Sequence, residues 1–136
     1  VGMRDGLQNE PMELSTNKKL ELARRLADCG FRRMEAGSFV SPKWVPQMAD
    51  SNKIITTLLA ESRVSSSVGR VRWSALVPNM VGYENAKKAG VKENAIFGAI
   101  SNTCSQKDIN VSVRERLRRF EEVIANAKKD RNRVRG

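Results

Sequence analysis

One stretch near the start of the chain concentrates side chains that could take part in a reaction. Residues 2–10 read Gly-Met-Arg-Asp-Gly-Leu-Gln-Asn-Glu and bring Arg4, Asp5 and Gln8 close together. We expect this stretch where a first strand would end, because α/β proteins place their ligand sites at the carboxyl ends of strands. Asp5 could hold a hard divalent cation, and Arg4 could stabilise a developing enolate or carbonyl oxygen. The alternative is an Arg-Asp pair that only steadies a turn.

A second candidate is Glu35, an acidic residue at the end of an otherwise apolar stretch that is predicted to be the second strand. In that position the side chain would face the mouth of the sheet, where burial favours the protonated carboxyl and suits it to proton transfer. A surface glutamate paired with Arg32 or Arg33 is the alternative. The alternation of apolar and polar residues does not separate the two.

Composition limits the chemistry open to the chain. The 136 residues are 40% hydrophobic and 29% charged, which is typical of one soluble globular domain. No apolar run approaches the ~18 residues that a membrane span needs, and no signal peptide can be read in the residues that follow Val1. Histidine is absent, which removes Ser-His and Cys-His pairs and imidazole metal ligands. Cys29 and Cys104 are the two cysteines and indicate a reducing compartment rather than a disulfide scaffold.

The net charge of +10 raises the question of a polyanionic partner such as nucleic acid. Basic residues are spread through predicted helices, often beside acids, and concentrate mainly from Arg114 to Arg135. Only 5% of residues are aromatic, so platforms on which single-stranded bases could stack are scarce. A solvated basic surface is the favoured interpretation, and a polyanion-binding face is the alternative.

Apolar periodicity and chain breakers predict alternating strands and helices. Ser15 or Thr16 begins a helix that runs to about Asp28, and Gly30 ends it. The other predicted helices begin with a cap at Asp50, span 83–89, and run through 113–127 after a cap at Ser112, while 61–72 is a connection. The predicted strands are 31–36, 73–77 and 94–97, and a further strand opens at Val134.

This alternation favours the α/β class, with parallel strands joined by crossover helices. An open doubly wound sheet and a (β/α)8 barrel share the same local pattern. No glycine-rich phosphate fingerprint follows the first strand, which argues against a dinucleotide site.

The sequence resembles the hydroxymethylglutaryl-CoA lyase family over essentially its whole length. The most specific shared motif is the run from Ser38 to Met48. The others are Arg4-Asp5-Gly6-Leu7-Gln8-Asn9-Glu10, Pro78-Asn79 with Gly82, Phe97-Gly98-Ala99 with Ser101, and Ile109-Asn110.

The resemblance implies a (β/α)8 TIM barrel, of which residues 1–136 form a single partial domain with roughly four βα units and the start of a fifth strand. It implies retro-Claisen cleavage of 3-hydroxy-3-methylglutaryl-CoA to acetyl-CoA and acetoacetate, a step of leucine degradation, with Mg²⁺ or Mn²⁺ as cofactor. By motif, Asp5 matches a metal ligand, Arg4 and Glu35 match catalytic residues, and Arg4 and Gln8 match substrate-binding residues. We predict that these four side chains converge at one mouth of the sheet.

The chain lacks other parts of the family pattern, namely a His-x-His pair, a ligating Asn and a Gly-Gly-Cys-Pro loop, and Cys104 does not match that loop's cysteine. We therefore expect the missing metal ligands outside this chain and expect the chain alone to be inactive. For the parent enzyme we expect an acyl-CoA substrate, a homo-oligomeric state, and no membrane or nucleic-acid partner. Its expected location is the bacterial cytoplasm or the mitochondrial matrix, and the cytoplasm is favoured. The alternatives are a related metal-dependent aldolase or acyl-CoA condensing barrel, and a basic binding module without catalysis.

Overall fold

A computed structural model of the chain describes residues 1–97 and 113–136. Four strands in this part form one sheet in the order β1-β2-β3-β4, and each strand is parallel to its neighbour. The strands are β1 (Arg33–Ser38), β2 (Arg72–Leu76), β3 (Glu93–Ala95) and β4 (Arg133–Arg135). The predicted parallel α/β architecture is therefore confirmed.

The helices connect the strands and cover one face of the sheet. They are α1 (Thr16–Asp28), α2 (Ser51–Glu61), α3 (Ser66–Gly69), α4 (Met80–Lys88) and α5 (Val113–Lys129), together with a π-helical turn (Gly2–Gly6) and a 3-10 turn (Pro46–Met48). Within residues 1–97 and 113–136, no helix is long and apolar enough to cross a membrane.

Helix α1 follows the sequence prediction at both ends. The Ser15 side chain accepts a hydrogen bond from the Lys18 backbone N–H and so caps the first turn. Gly30 follows the helix with φ +95°, a left-handed conformation that glycine adopts without steric cost.

Several sequence predictions need correction. Residues 2–6 form a π-helical turn, so the candidate stretch is itself helical, and Glu35 is the third residue of β1 rather than its last. Asp50 occupies the N-cap position of α2 without a side-chain capping bond. Helix α3 lies within the predicted connection 61–72. The predictions at Gly98–Ser101, Cys104, Ile109-Asn110 and Ser112 fall outside the described residues.

The two faces of the sheet have different surroundings. Strand residues Met34, Trp73 and Ala75 belong to the main apolar core, which also contains buried residues of the helices. Because successive side chains of a strand point to opposite faces, Ser74 and Leu76 lie on the other face. Register pairs Ser74 with Glu35. The face away from the apolar core therefore carries the Glu35 carboxylate.

Candidate active site

Four side chains that the sequence singled out contact one another through Arg4. The Arg4 Nε donates to Glu35 Oε1 at 2.6 Å, and Arg4 Nη1 donates to Asp5 Oδ1 at 2.9 Å and to Gln8 Oε1 at 3.4 Å. The structure thus brings Arg4, Asp5, Gln8 and Glu35 together around one guanidinium.

Solvent exposure differs sharply within this group. The side chains of Arg4 and Glu35 are 8% and 1% exposed, whereas that of Asp5 is 57% exposed. The group therefore has a closed side, formed by the Arg4-Glu35 ion pair, and an open side that carries Asp5.

Glu35 has a second basic partner that is distant in sequence. Arg135 Nη2, on β4, donates to Glu35 Oε2 at 2.5 Å. Both carboxylate oxygens of Glu35 are thereby engaged by guanidinium groups. This arrangement replaces the surface pairing with Arg32 or Arg33 that the sequence left open.

The π-helical turn fixes the direction of the Arg4 and Asp5 side chains. Met3 is buried in the apolar core and Leu7 packs against that core, so both ends of the turn are anchored. Arg4 is buried beside Met3, while Asp5 faces solvent. π-helical turns are rare and occur frequently at functional sites.

The group lies toward the carboxyl ends of the strands. The Arg4 guanidinium carbon is 6.0 Å from the ring centre of Phe97, which follows the end of β3, a geometry that favours a cation-π interaction. Arg135 is in register with Ala95, the last residue of β3, which is itself in register with Leu76, the last residue of β2. Ligand sites of parallel α/β proteins lie at this end of the sheet.

Three polar atoms of these side chains make no hydrogen bond to a described residue. They are Arg4 Nη2, Asp5 Oδ2 and Gln8 Nε2, because the contacts within the group use Arg4 Nε and Nη1, Asp5 Oδ1 and Gln8 Oε1. A donor for a substrate oxygen and an acceptor for a cation are therefore available side by side.

The oxygen atoms of Asp5 and Gln8 are of the kind that binds a hard divalent cation, but they are fewer than such a cation needs. Carboxylate and amide oxygens such as those of Asp5 and Gln8 suit Mg²⁺ or Mn²⁺. The part of the chain that the structure describes contains no group of three His, Cys, Asp or Glu side chains placed to hold a metal.

A buried polar cluster holds the segment that follows Gln8. The Gln47 side chain accepts from the Leu14 N–H at 3.0 Å and donates to the Met12 carbonyl at 2.9 Å. Lys19, which is 2% exposed, donates to the Gln47 carbonyl and to Asp50 Oδ1. The Asp50 carboxylate is thus used here instead of capping α2. The cluster fixes one wall of a groove of about 440 Å³ beside Gln8.

Arg135 is the site residue that sequence reasoning missed. It is 100 residues from Glu35 and lies next to the last residue of the chain. Its position on a predicted strand was the only available signal, because local sequence patterns do not reveal which strands will face each other.

The described fold and site define a parallel α/β protein whose strands end at an arginine-carboxylate site. The family model described as HMGL-like matches residues 1–136. The chain therefore belongs to the HMGL-like family.

Similar proteins extend this assignment. A hydroxymethylglutaryl-CoA lyase of Pseudomonas mevalonii is 45% identical over 136 residues, which are 100% of this chain and 43% of that protein. The crystal structure of the HMG-CoA lyase from Brucella melitensis has a TM-score of 0.88 and 45% identity, covering 99% of this chain and 45% of that one. An HMG-CoA lyase from Acinetobacter baumannii in complex with coenzyme A and 3-methylmalate has a TM-score of 0.84 and 28% identity, covering 98% and 41%. Other curated relatives are named as cytoplasmic or as mitochondrial forms.

The matched proteins are longer than this chain and contain a larger fold. It spans less than half the length of the relatives it resembles. Its four parallel strands correspond to the N-terminal part of a TIM barrel. The expected fold class is confirmed.

Proposed function

We propose that this chain carries the N-terminal part of the active site of a hydroxymethylglutaryl-CoA lyase. Such an enzyme cleaves 3-hydroxy-3-methylglutaryl-CoA to acetyl-CoA and acetoacetate. The observation that carries the proposal is the Arg4 guanidinium, which is buried, fixed by three acceptor side chains, and left with Nη2 free of partners among the described residues.

The reaction needs a fixed donor at one substrate oxygen. A base that these four side chains do not supply takes the proton of the tertiary hydroxyl. The carbon-carbon bond then breaks, acetoacetate forms, and the electron pair moves onto the thioester as an enolate, which takes up a proton to give acetyl-CoA. A cationic donor already in place stabilises that charge without reorganising at the moment of reaction. Arg4 Nη2 is suited to this role, and Gln8 lies close enough to orient the substrate beside it.

We assign Glu35 the role of holding Arg4. Both oxygens of the Glu35 carboxylate accept from guanidinium groups, so neither is left to exchange a proton with substrate in this arrangement. Its contribution to turnover would then come from keeping the Arg4 plane in one orientation.

Asp5 is the proposed metal ligand of this chain, with Gln8 as a neighbouring oxygen donor. When bound, Mg²⁺ or Mn²⁺ would polarise the substrate oxygens that it chelates. The exposed Asp5 carboxylate and its free Oδ2 support this assignment. The further ligands are expected in the part of the protein that lies beyond this chain.

The test is an assay of the complete protein with 3-hydroxy-3-methylglutaryl-CoA and either Mg²⁺ or Mn²⁺. We expect acetyl-CoA and acetoacetate in equal amounts. Condensation of an acyl-CoA, or cleavage of an aldol substrate without a thioester, would instead identify a related aldolase or condensing barrel. Absence of all three reactions would contradict the proposal of an enzyme.

Arg4→Gln in the same protein tests the proposed donor. Loss of one fixed oxyanion donor lowers turnover by about 10²–10³-fold. Arg25→Gln is the matched control, because it removes an arginine whose ion pair with Glu21 lies on the exposed surface of α1. Turnover of Arg4→Gln within a few fold of the control would remove Arg4 from the mechanism.

A further inference from the structure

We propose that Arg135 is a positioning residue of the lyase site, acting on Arg4 through Glu35. This inference rests on the proposed function, since it concerns how the Arg4 donor is kept in place. It assigns a role to Arg135 of β4, a strand that lies on the opposite edge of the described sheet from β1.

The contact spans the described sheet from one edge to the other. Strands β1 and β4 are separated by β2 and β3, and three strand spacings of about 4.8 Å place them about 14 Å apart in a flat sheet. The long side chains of Arg135 and Glu35 bridge this distance, and Arg135 Nη2 binds Glu35 Oε2. They meet above the face that turns away from the apolar core.

Two rows of the strand register cross this face. Ser74 lies beside Glu35 on β2, with Glu93 next in the same row. Ala95 lies beside Arg135 on β3, with Leu76 next in the same row. The Arg135 and Glu35 side chains therefore meet over a face that carries both small and long neighbours.

The charge arrangement explains why two arginines are needed. The Glu35 side chain is 1% exposed, and a buried carboxylate requires charge partners and hydrogen bonds to both oxygens. Arg4 uses only Nε for Glu35 and keeps Nη1 for Asp5 and Gln8. With Arg135 on Oε2, the carboxylate cannot rotate without breaking an ion pair. Arg135 therefore fixes the Glu35 carboxylate, and the Glu35 carboxylate in turn fixes the Arg4 guanidinium.

Arg135→Gln in the complete protein is the central test, with Arg135→Lys as the conservative variant. Arg133→Gln is the matched control, since it removes the same charge from the same strand and its side chain makes no ion pair with any described residue. Two quantities are measured, the kinetic constants for cleavage and the exchange rate of the Arg4 Nε–H proton by NMR, assigned through its loss in Arg4→Lys.

We expect Arg135→Gln to lower kcat by about 10–100-fold with a smaller change in KM, because misplacing a group by about 1 Å can cost that much. The Arg4 Nε–H proton should exchange at least about tenfold faster. Arg135→Lys should give intermediate values, because it keeps the charge but not the planar fork. The control should remain within about twofold of the unmodified protein.

Unchanged kcat and exchange in Arg135→Gln would overturn the proposal, as would an equal loss in Arg133→Gln. A fall in kcat with unchanged Nε–H exchange would also overturn it, because Arg135 would then act by another route. The exchange measurement does not depend on turnover. If the unmodified protein failed to cleave the substrate, the proposed function would fail while this measurement still decided the role of Arg135.

Discussion

Arg4 and Glu35 form an ion pair in which both side chains are buried. Removing one partner of such a pair leaves an uncompensated buried charge, so its loss costs more than the loss of a surface pair. Glu61 offers a comparison, because its carboxylate pairs with Arg24 in a partly exposed position. Hydrogen bonding to Arg24 holds the pKa of Glu61 below its ordinary value.

We predict that Glu35→Gln lowers the free energy of unfolding of the complete protein by about 3 kcal/mol. Glu61→Gln should lower it by less than about 1 kcal/mol, since exposed pairs contribute little. Chemical denaturation of both variants measures the difference. Equal losses of unfolding free energy in the two variants would show that breaking the Arg4-Glu35 pair costs no more than breaking a surface pair.

The residues of the site were easier to predict from the sequence than their burial and their contacts. Arg4, Asp5 and Gln8 lie within five consecutive residues, so their proximity needed only a turn. The burial of Glu35 could not be decided, because alternation in a short strand is compatible with either face. Its pairing with Arg135 depends on the order and register of four strands, which no local pattern encodes.

At the level of elements, the specific run from Ser38 to Met48 has a structural use in holding the segment after Gln8. The Gln47 carboxamide accepts from the Leu14 N–H and donates to the Met12 carbonyl. It thus supplies backbone hydrogen bonds that a neighbouring strand would otherwise make to this irregular segment. An unpaired, partly buried N–H costs about 1–3 kcal/mol.

Gln47→Leu should therefore release the segment 10–14. We expect faster amide hydrogen exchange at Leu14 and a free energy of unfolding lowered by about 1–3 kcal/mol. Asn52→Leu is the control, because it makes the same kind of change at an exposed position of α2. Unchanged exchange at Leu14 would show that other contacts hold this segment.

A second cluster joins α4 to the turn between α5 and β4. Tyr83 donates to Asp130 Oδ2 at 2.8 Å, Lys87 pairs with the same oxygen at 2.9 Å, and Asn132 donates to the Tyr83 hydroxyl at 3.2 Å. Hydrogen bonds from Lys87 and then Tyr83 lower the pKa of Asp130, and burial raises the pKa of Tyr83. The cluster lies at the start of β4 and so supports the strand that carries Arg135.

The sign of the pH dependence follows from the lowered pKa of Asp130. The folded protein favours the ionised carboxylate, so this contribution to stability is complete above the ordinary pKa of about 3.8 and is lost as the pH falls below it. Denaturation of Asp130→Asn should show a smaller loss of stability between pH 5 and pH 3 than the unmodified protein. Asp28→Asn, at an exposed position of α1, should not reduce that loss.

Element types were predictable where periodicity was long, as in α1, whose cap and glycine stop agreed with the structure. Shorter pieces were not. Helix α3 has four residues, too few to show a helical period. Asp50 does occupy the expected N-cap position of α2, but its carboxylate binds Lys19 and Thr16 instead of the helix backbone.

At the scale of the whole molecule, the described sheet has two edges and one face that carries the Glu35-Arg135 ion pair. Among the described residues, β1 and β4 each have one strand neighbour. Unpaired edge strands expose rows of hydrogen-bonding groups that readily pair with other chains. The barrel was predictable only through the family resemblance, because open sheets and barrels share the same local pattern.

The last prediction concerns the 136-residue chain by itself, which we expect to self-associate, melt at a lower temperature than the complete protein and show no lyase turnover. Water competes well for hard cations, and Asp5 with Gln8 supplies too few ligands to fix one. The edges of β1 and β4 would pair with other copies. Size-exclusion chromatography, thermal melting and an acetoacetate assay with Mg²⁺ or Mn²⁺ test this on one preparation, with the complete protein as control. Metal-dependent turnover from a folded monomer would show that residues assigned here to structure complete the site.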